Sequence, residues 1–584
     1  MLVLGDNDLA ALAIVRSLGR YGLTVHLAAF ESKPIARRSR YVSQIHDLGH
    51  PLADGERFVR GVLGLAQQQG FDLIVPTSDK SLTPLMPHRD ELNRHAHFVA
   101  PDDVGFEFTS NKDQTLSKAS ELGIPIPSTT LLSGPEALRG FQLPSDFPVV
   151  LKPQASTRAG AVERNEVRIV HARESALEQL DRMLQRGPVL VQGYCPGYGV
   201  GLSVLGNAGE VVAAFQHQRV HEPPRGGAGS YRKSVPLDAT LLEFARKFCA
   251  AIGWSGPAMF EYKVDPATGA AVLMEVNGRF WGSLALAIQS GVDFPRLQYD
   301  MAVLGKVQTT FAYRTPYYVR HTIRDVEWFR ENALAPRGRP DLRKLGLGEV
   351  ASEFWNIVTL REGYDIESIR DPMPAVAGWK WFLTDAARQL TRRASMKLGR
   401  RRFLRLARAA SSPDSPLRAQ ARNARSILFL CYGNINRSPV AEQSLKAALG
   451  SASPVTVASA GFYPERDRST GPVSESVARQ LGLDLTGHRS QVVSQVLLQT
   501  HDLIVIMDAA QVQGLREMCP DQLRKAVPLS TFGDTDRDLE IPDPHGKGQE
   551  FFEKVYRRIM HCVAGLAREL AAGVARNHQP PASD

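Results

Sequence analysis

Cysteine is scarce in this sequence: five in 584 residues, at Cys195, Cys249, Cys431, Cys519 and Cys562. They show neither the paired spacing of a disulfide framework nor the clustered spacing of a zinc site. A reducing, cytoplasmic setting is therefore expected. Long apolar runs are missing too, and none reaches the length that spans a bilayer. The opening MLVLGDNDLAALAIVRSLGRYG reads as strand, turn and helix. It has no charged leader and no small-residue cleavage site, so a secretory signal is not expected. Acidic residues are depleted in one place only. The net charge is +9, yet between Arg388 and Arg425 twelve Arg and Lys stand against a single acid, Asp414. The rest of the chain is near neutral, so no nucleic-acid partner is expected.

A chain this long is expected to hold about two to four domains. Residues 1–105 alternate apolar runs (MLVLG, LTVHLAAF, DLIVPTS, HFVAP) with helical patterns, the signature of a parallel α/β domain. Residues 106–305 continue as α/β with longer strands and Gly-rich turns. Residues 306–387 read as an irregular accessory region, and 388–425, broken by SSPDSP, as a basic linker. Residues 426–575 return to clean α/β with a central parallel sheet.

The stretch SILFLCYGNINRSPVAE carries the sharpest chemistry. An apolar strand ends at Cys431, and Arg437 follows six residues later. Ser438-Pro439 then signals a helix start. The free N–H groups and dipole of a helix N-terminus favour a phosphate dianion and lower the pKa of a neighbouring thiol. Arg437 can grip two phosphate oxygens in a fork. Gly433 permits a tight backbone and Asn434 can brace it. A leaving alkoxide needs a general acid, which Asp543 of Ile541-Pro-Asp-Pro544 supplies from a rigid turn.

Together with ASAGF, GLDLTGHRS, HDLIVIMD and IPDPHGKGQEFFEKVYRRI, this stretch resembles the low-molecular-weight protein tyrosine phosphatase family. The resemblance implies Cys431 as nucleophile, Arg437 as phosphate clamp and Asp543 as general acid. It also implies Ser438 as donor to the thiolate, and Asn434 and Ser459 as loop supports. It implies a cysteinyl-phosphate intermediate and a phosphotyrosine protein as substrate, with no cofactor. Two positions depart from the family pattern. Asn436 stands where many relatives have a second cysteine, which removes protection by a loop disulfide. His545 stands where an aromatic residue often follows Asp-Pro. Cys519 and Cys562 are too far apart to suggest the relay of the related arsenate reductases.

The signals upstream are spread out. Lys152 ends the apolar strand FPVVLKP, and Lys112 opens a helix after Asn111. Glu275 and Asn277 alternate on one face of a strand, VLMEVNGR. Glu261 can join them across a hairpin turning at Asp265–Gly269. Two carboxylates and an amide oxygen suit Mg²⁺ carrying nucleotide phosphates. Each piece alone is ordinary, since a surface lysine is usually a solvated charge. Their order resembles the ATP-grasp superfamily, carboxylate–amine ligase-like members above all, with residues 1–105 as the preceding α/β domain. The resemblance implies Lys112 and Lys152 on ATP phosphates, and Glu261, Glu275 and Asn277 on Mg²⁺. It implies Arg279 at the transferred phosphate, Gln192 and Tyr194 beside the adenine, and Arg225–Arg232 as a loop over the phosphates. The ribose-binding acid common in the superfamily is missing near Tyr198.

In the basic segment, Leu390, Leu398, Phe403, Leu404 and Leu406 can form an apolar stripe among arginines. Either a solvated helix or peripheral membrane contact through 379–410 fits that pattern. The expectation is a fusion of a tyrosine phosphatase with an ATP- and Mg²⁺-dependent ligase-like module acting on an unknown small acid and amine. The rivals are a non-catalytic ATP-sensing N-terminal half that regulates the phosphatase, and a membrane-surface scaffold.

Overall fold

The structure, a computed structural model, describes residues 1–5, 8–30, 35–155, 167–223, 229–334, 347–533 and 539–577. The chain divides into two units, 1–383 and 384–584.

In the first unit the short apolar runs pair in parallel. Strands β1 (Leu2–Leu4), β2 (Val25–Ala28), β3 (Val42–His46), β4 (Leu73–Pro76) and β5 (His97–Phe98) form a sheet in the order β3-β2-β1-β4-β5. Helix Asp8–Arg20 buries Leu12, Ile14, Val15 and Leu18. The next helix, Gly55–Gln69, starts where Asp54 accepts from the Arg57 N–H and stops at Gly70, whose φ of +58° favours glycine. Strands β6 (Thr129–Leu132), β7 (Val149–Pro153), β8 (Arg168–Val170) and β9 (Val189–Gly193) make an antiparallel sheet in the order β6-β9-β7-β8.

The largest sheet has seven strands: β10 (Tyr198–Asn207), β11 (Glu210–His221), β12 (Tyr231–Ser234), β13 (Gly256–Val264), β14 (Ala271–Asn277), β15 (Tyr318–Arg320) and β16 (Glu362–Tyr364). Their order is β14-β13-β10-β11-β12-β15-β16. The region 306–387 thus differs from the irregular accessory expected, since it supplies two strands of this sheet. Each of those strands is only three residues long, too short for an alternating pattern to register. One apolar core joins helix Asp8–Arg20 to Trp281, Phe294, Val319 and Ile366.

Polar side chains tie the far edge of this sheet to two helices, Thr322–Leu334 and Leu347–Val358. His221 is fully buried and stacks on Trp328 at 3.8 Å. Its ring nitrogens meet Asp325 Oδ1 at 2.7 Å and Glu353 Oε1 at 2.8 Å. Arg320 binds Asp325, Glu353 and Glu362.

In the second unit β17 (Ser426–Cys431), β18 (Thr456–Gly461), β19 (Leu503–Ile506) and β20 (Ala526–Pro528) form a parallel sheet in the order β18-β17-β19-β20. The basic segment lies in two helices, Met373–Ser411 and Pro416–Asn423, which are not solvated on every face. Phe403, Ala407 and Ala410, at helical spacing, are buried in this unit's cores along with Ala421. Arg418 pairs with Glu569 and lies 4.7 Å over the Phe532 ring. The lipid-facing stripe is therefore divided, because Phe403 and Leu406 pack inward while Leu390 and Leu398 stay exposed. No helix among the described residues is long and apolar enough to cross a membrane.

Two predictions follow from these contacts. A Cβ at Gly565 would lie 1.8 Å from the Phe532 carbonyl oxygen. Gly565→Ala should destabilise the second unit by about 3 kcal/mol, read as a lower thermal midpoint. His221 is held above its ordinary value of 6.5; burial opposes the charge, but the hydrogen bonds its ring donates to Asp325 and Glu353 outweigh it. A raised folded-state pKa stabilises fully below the unfolded value and is lost as pH rises through the folded one. The first unit should therefore melt lower as pH climbs past 6.5, and His221→Gln should flatten that slope in a pH series of melting curves.

Candidate active sites

In a parallel sheet of this order the crevice lies at the carboxyl ends of the strands, where connections diverge to opposite sides. Cys431 ends β17 there, and Asp508 lies two residues past the end of β19. The loop after Cys431 runs into helix Arg437–Leu449. The helix begins at Arg437, so Pro439 sits third, still among the N–H positions that have no helical acceptor.

The loop is braced from inside by Asn434, which is fully buried with φ at +51°. The Gln491 N–H donates to its Oδ1 at 2.7 Å, which fixes the amide's orientation. Its Nδ2 then donates to Ser438 Oγ at 2.9 Å and Ser459 Oγ at 2.8 Å. Ser459, having accepted, gives its proton to Glu442 Oε2 at 2.6 Å. By the same logic Ser438 directs its proton to Cys431 Sγ at 3.0 Å. The Asn434 N–H adds a second donor to the sulfur at 3.1 Å.

Arg437 is 2% exposed and donates to Asp508 at 2.6 Å, to Asp543 at 2.8 Å and to the Ile541 carbonyl at 2.9 Å. Burial works against its charge, but Cys431, Asp508 and Asp543 outweigh burial and raise its pKa. Among the described residues its Nε–H is buried without an acceptor, a donor suited to an anion in the loop. Asp543 also accepts from the His545 N–H at 3.1 Å, which fixes the turn. Asn436 is buried at the helix N-cap without capping it through its side chain. Tyr432 and Tyr463 form an edge-on pair 5.9 Å apart at the rim. Arg468 lies 4.1 Å over Tyr463 and donates to the Gly433 carbonyl.

In the first unit the hairpin of β13 and β14 sets Glu261 directly opposite Glu275. Asn277 Nδ2 donates to Glu261 at 3.2 Å, and Arg279 donates to Asn277 Oδ1 at 3.0 Å. Arg279 is also gripped at both ends by Asp79, at 2.9 and 3.0 Å. Lys152, on β7, is buried, and burial lowers its pKa, with Lys112 adding and Glu275 and Glu261 opposing. Glu275 is held below the usual carboxylate value: Lys112, Lys152, Arg219 and Arg279 outweigh burial. Glu261 is pushed up by burial and by Glu275, against the pull of Arg219, which binds it. Lys112, Lys152, Glu261, Glu275, Asn277 and Arg279 therefore share one cluster.

Gln192 is buried on the same face of β9 as Lys152 on β7; its Nε2 donates to Thr129 Oγ1 at 3.0 Å. Tyr194 is exposed just beyond β9. Of the loop Arg225–Arg232, residues 225–228 lie outside the described residues. Among the described residues no three His, Cys, Asp or Glu side chains converge as metal ligands. The implied Mg²⁺ set has two carboxylates and one amide oxygen, all hard donors, and that chemistry fits the ion.

Sequence reasoning missed Asp508, Asp79, Arg219 and the Tyr432–Tyr463 rim. Asp508 had a readable signal. It follows an apolar strand and forms a capping box with Gln511.

Residues 426–576 match the family described as low molecular weight phosphotyrosine protein phosphatase, and residues 185–324 match one described as ATP-grasp in the biosynthetic pathway with Ter operon. The chain is 35% identical over 146 residues to the low molecular weight protein-tyrosine-phosphatase Wzb of Salmonella typhi, covering 25% of this chain and 94% of that one. It is 26% identical over 278 residues to D-aspartate ligase of Enterococcus faecium (strain Aus0004), covering 44% of this chain and 66% of that one. Among solved structures, Wzb of Escherichia coli K30 in complex with sulphate matches at 30% identity and a TM-score of 0.24, covering 25% of this chain and 99% of that one. The chain belongs, through its last quarter, to the low-molecular-weight protein tyrosine phosphatase family, and its N-terminal part carries an ATP-grasp domain. It is a fusion of two enzyme domains.

The brace makes a separable prediction. Asn434→Gly keeps the backbone freedom needed at φ +51° but removes the amide. It should fold and lose about 10²- to 10³-fold in aryl-phosphate turnover, the cost of an oriented donor set. Near-normal turnover would show that the amide network does not support the chemistry.

Proposed function

We propose that the C-terminal domain hydrolyses protein phosphotyrosine and that the N-terminal half is an ATP-dependent carboxylate–amine ligase. The observation that carries the first part is the pair of donors aimed at Cys431 Sγ, from Ser438 and the Asn434 N–H. Both donate to the sulfur, the geometry that a negatively charged nucleophile uses. The thiolate attacks phosphorus and forms an S–P bond as the ester P–O bond breaks. Arg437 leaves Asp508 and Asp543 for the phosphate oxygens, which need its charge most in the transition state. Asp543, released from Arg437 and protonated from solvent, gives that proton to the departing phenolate oxygen and is left as a carboxylate. Asp543 then takes a proton from the water that attacks phosphorus, and phosphate leaves Cys431. The Tyr432–Tyr463 rim supports an aryl substrate in a protein whose Asp-Pro turn continues with His545.

The cluster on β13 and β14 supports the second part. Lys112 and Lys152 would bind ATP phosphates, and Arg279, oriented by Asp79, would meet the transferred phosphate. Glu261, Glu275 and Asn277 would hold Mg²⁺, which when bound neutralises the phosphate chain. Gln192 and Tyr194 would flank the adenine. The acid and amine partners are small molecules.

Phosphotyrosyl-peptide hydrolysis near pH 6 tests the first part. Cys431→Ser should abolish it, and Asp543→Asn should lower kcat by about 10²- to 10⁴-fold, most for poor leaving groups. Full activity in Cys431→Ser would refute the assignment. Lys152→Met should suppress saturable Mg-ATP binding measured by calorimetry, and unchanged binding would refute the nucleotide site.

A further inference from the structure

We propose that the Arg232–Asp365 pair is a binding subsite for the head group of an α-amino acid, with its carboxylate on Arg232 and its ammonium on Asp365. This rests on the ligase reading of the N-terminal half. Arg232 lies on β12 and is 1% exposed. One of its nitrogens, Nη2, donates to Asp365 Oδ2 at 2.5 Å. Among the described residues its Nε and Nη1 are buried with no acceptor, and Asp365 Oδ1 is buried with no donor. Buried polar groups are almost always satisfied, and a buried ion pair is stabilising only when its remaining valences are met. Here unmet donors and an unmet acceptor sit side by side on one pair. A lone anion would satisfy only the first, and a lone amine only the second. A zwitterionic head group satisfies both.

The pair is held for that role. Arg16 binds the backbone carbonyl of Asp365 at 3.0 Å and not its carboxylate. Among the described residues that leaves the carboxylate to Arg232 alone. His217, on the same sheet face, adds no charge, because burial, then Arg219 and Arg232, hold it neutral.

The position suits a substrate that must reach the phosphates. In the sheet, Glu261 on β13, Gly201 on β10, His217 on β11 and Ser234 on β12 form one row. Arg219 and Arg232 are register partners in the next row of that face. Three strand spacings separate Glu261 from Arg232, about 14 Å between backbones. The intervening strand carries glycines at 199 and 201. A Cβ at Gly201 would meet the His217 ring at 2.3 Å, and one at Gly199 would meet Glu222 Oε1 at 2.1 Å. That stretch of β10 therefore contributes no side chain to this face.

The test uses the full-length protein with Mg-ADP. Common L- and D-amino acids are titrated by calorimetry, each beside its decarboxylated amine and its deaminated acid. At least one amino acid should bind, about 10-fold or more tightly than either analogue. Arg232→Gln should weaken it by about 30-fold, the loss of charge-assisted hydrogen bonds, while Mg-ATP affinity stays within about two-fold. Asp365→Asn should erase the preference over the deaminated acid. Arg232→Lys, which keeps the charge, should fall between, and it serves if the Gln variant does not fold. Unchanged amino-acid binding in these variants would overturn the proposal, as would no amino-acid binding by a protein that binds Mg-ATP. Failure to bind Mg-ATP would instead refute the ligase reading, and titration without nucleotide would then judge the subsite alone.

Discussion

The amide of Asn434 holds the phosphatase loop in place. It is buried, its backbone occupies the left-handed region, and its side chain makes three hydrogen bonds, two donated and one accepted. Because the Gln491 N–H fixes which end is oxygen, the hydroxyls of Ser438 and Ser459 have only one direction left in which to donate. One faces the Cys431 sulfur and the other Glu442. The proton geometry at the nucleophile is thus set by the side chain of a residue that meets the sulfur only through its backbone N–H. Asparagine suits both demands, since its short polar side chain tolerates positive φ better than most residues do.

The N-terminal cluster is built differently. The phosphatase loop presents N–H groups and a single arginine. The cluster on β13 and β14 instead interleaves Lys112, Lys152, Arg219 and Arg279 with Glu261, Glu275 and Asp79. Each carboxylate lies among cations, and the set is assembled from two sheets and from the first residues of helices Lys112–Glu121 and Asp79–Leu82. Arg279 shows the dependence plainly: its guanidinium is oriented by Asp79, 200 residues earlier in the chain.

Contiguity decides how much of this was legible in the sequence. Cys431, Asn434, Arg437 and Ser438 lie within eight residues, between a strand and a helix that announce themselves by pattern. The hairpin that brings Glu261 near Glu275 was legible from the Asp265–Gly269 turn, but the pairing itself was not: a bulge between Glu261 and Tyr262 shifts the register by one residue and sets Glu261 opposite Glu275 instead of Met274. What stayed hidden is long-range. Asp508 reaches Arg437 only because β19 lies beside β17. Arg219 reaches Glu261 across β10, where glycine leaves the face open. The strands around Arg320 and Glu362 are too short to carry a period. In the basic segment, the density of arginine masked the spacing of Phe403, Ala407 and Ala410, which bury against the phosphatase core. Charge density describes a segment's surface and says little about the face it turns inward.

The most direct measurement is to quench the intact protein during turnover of an aryl phosphate and locate the trapped phosphoryl group by peptide mass spectrometry. The account predicts phosphate on the peptide carrying Cys431 and on no other. Turnover with no phosphoryl group on Cys431, or with the label elsewhere, would contradict it.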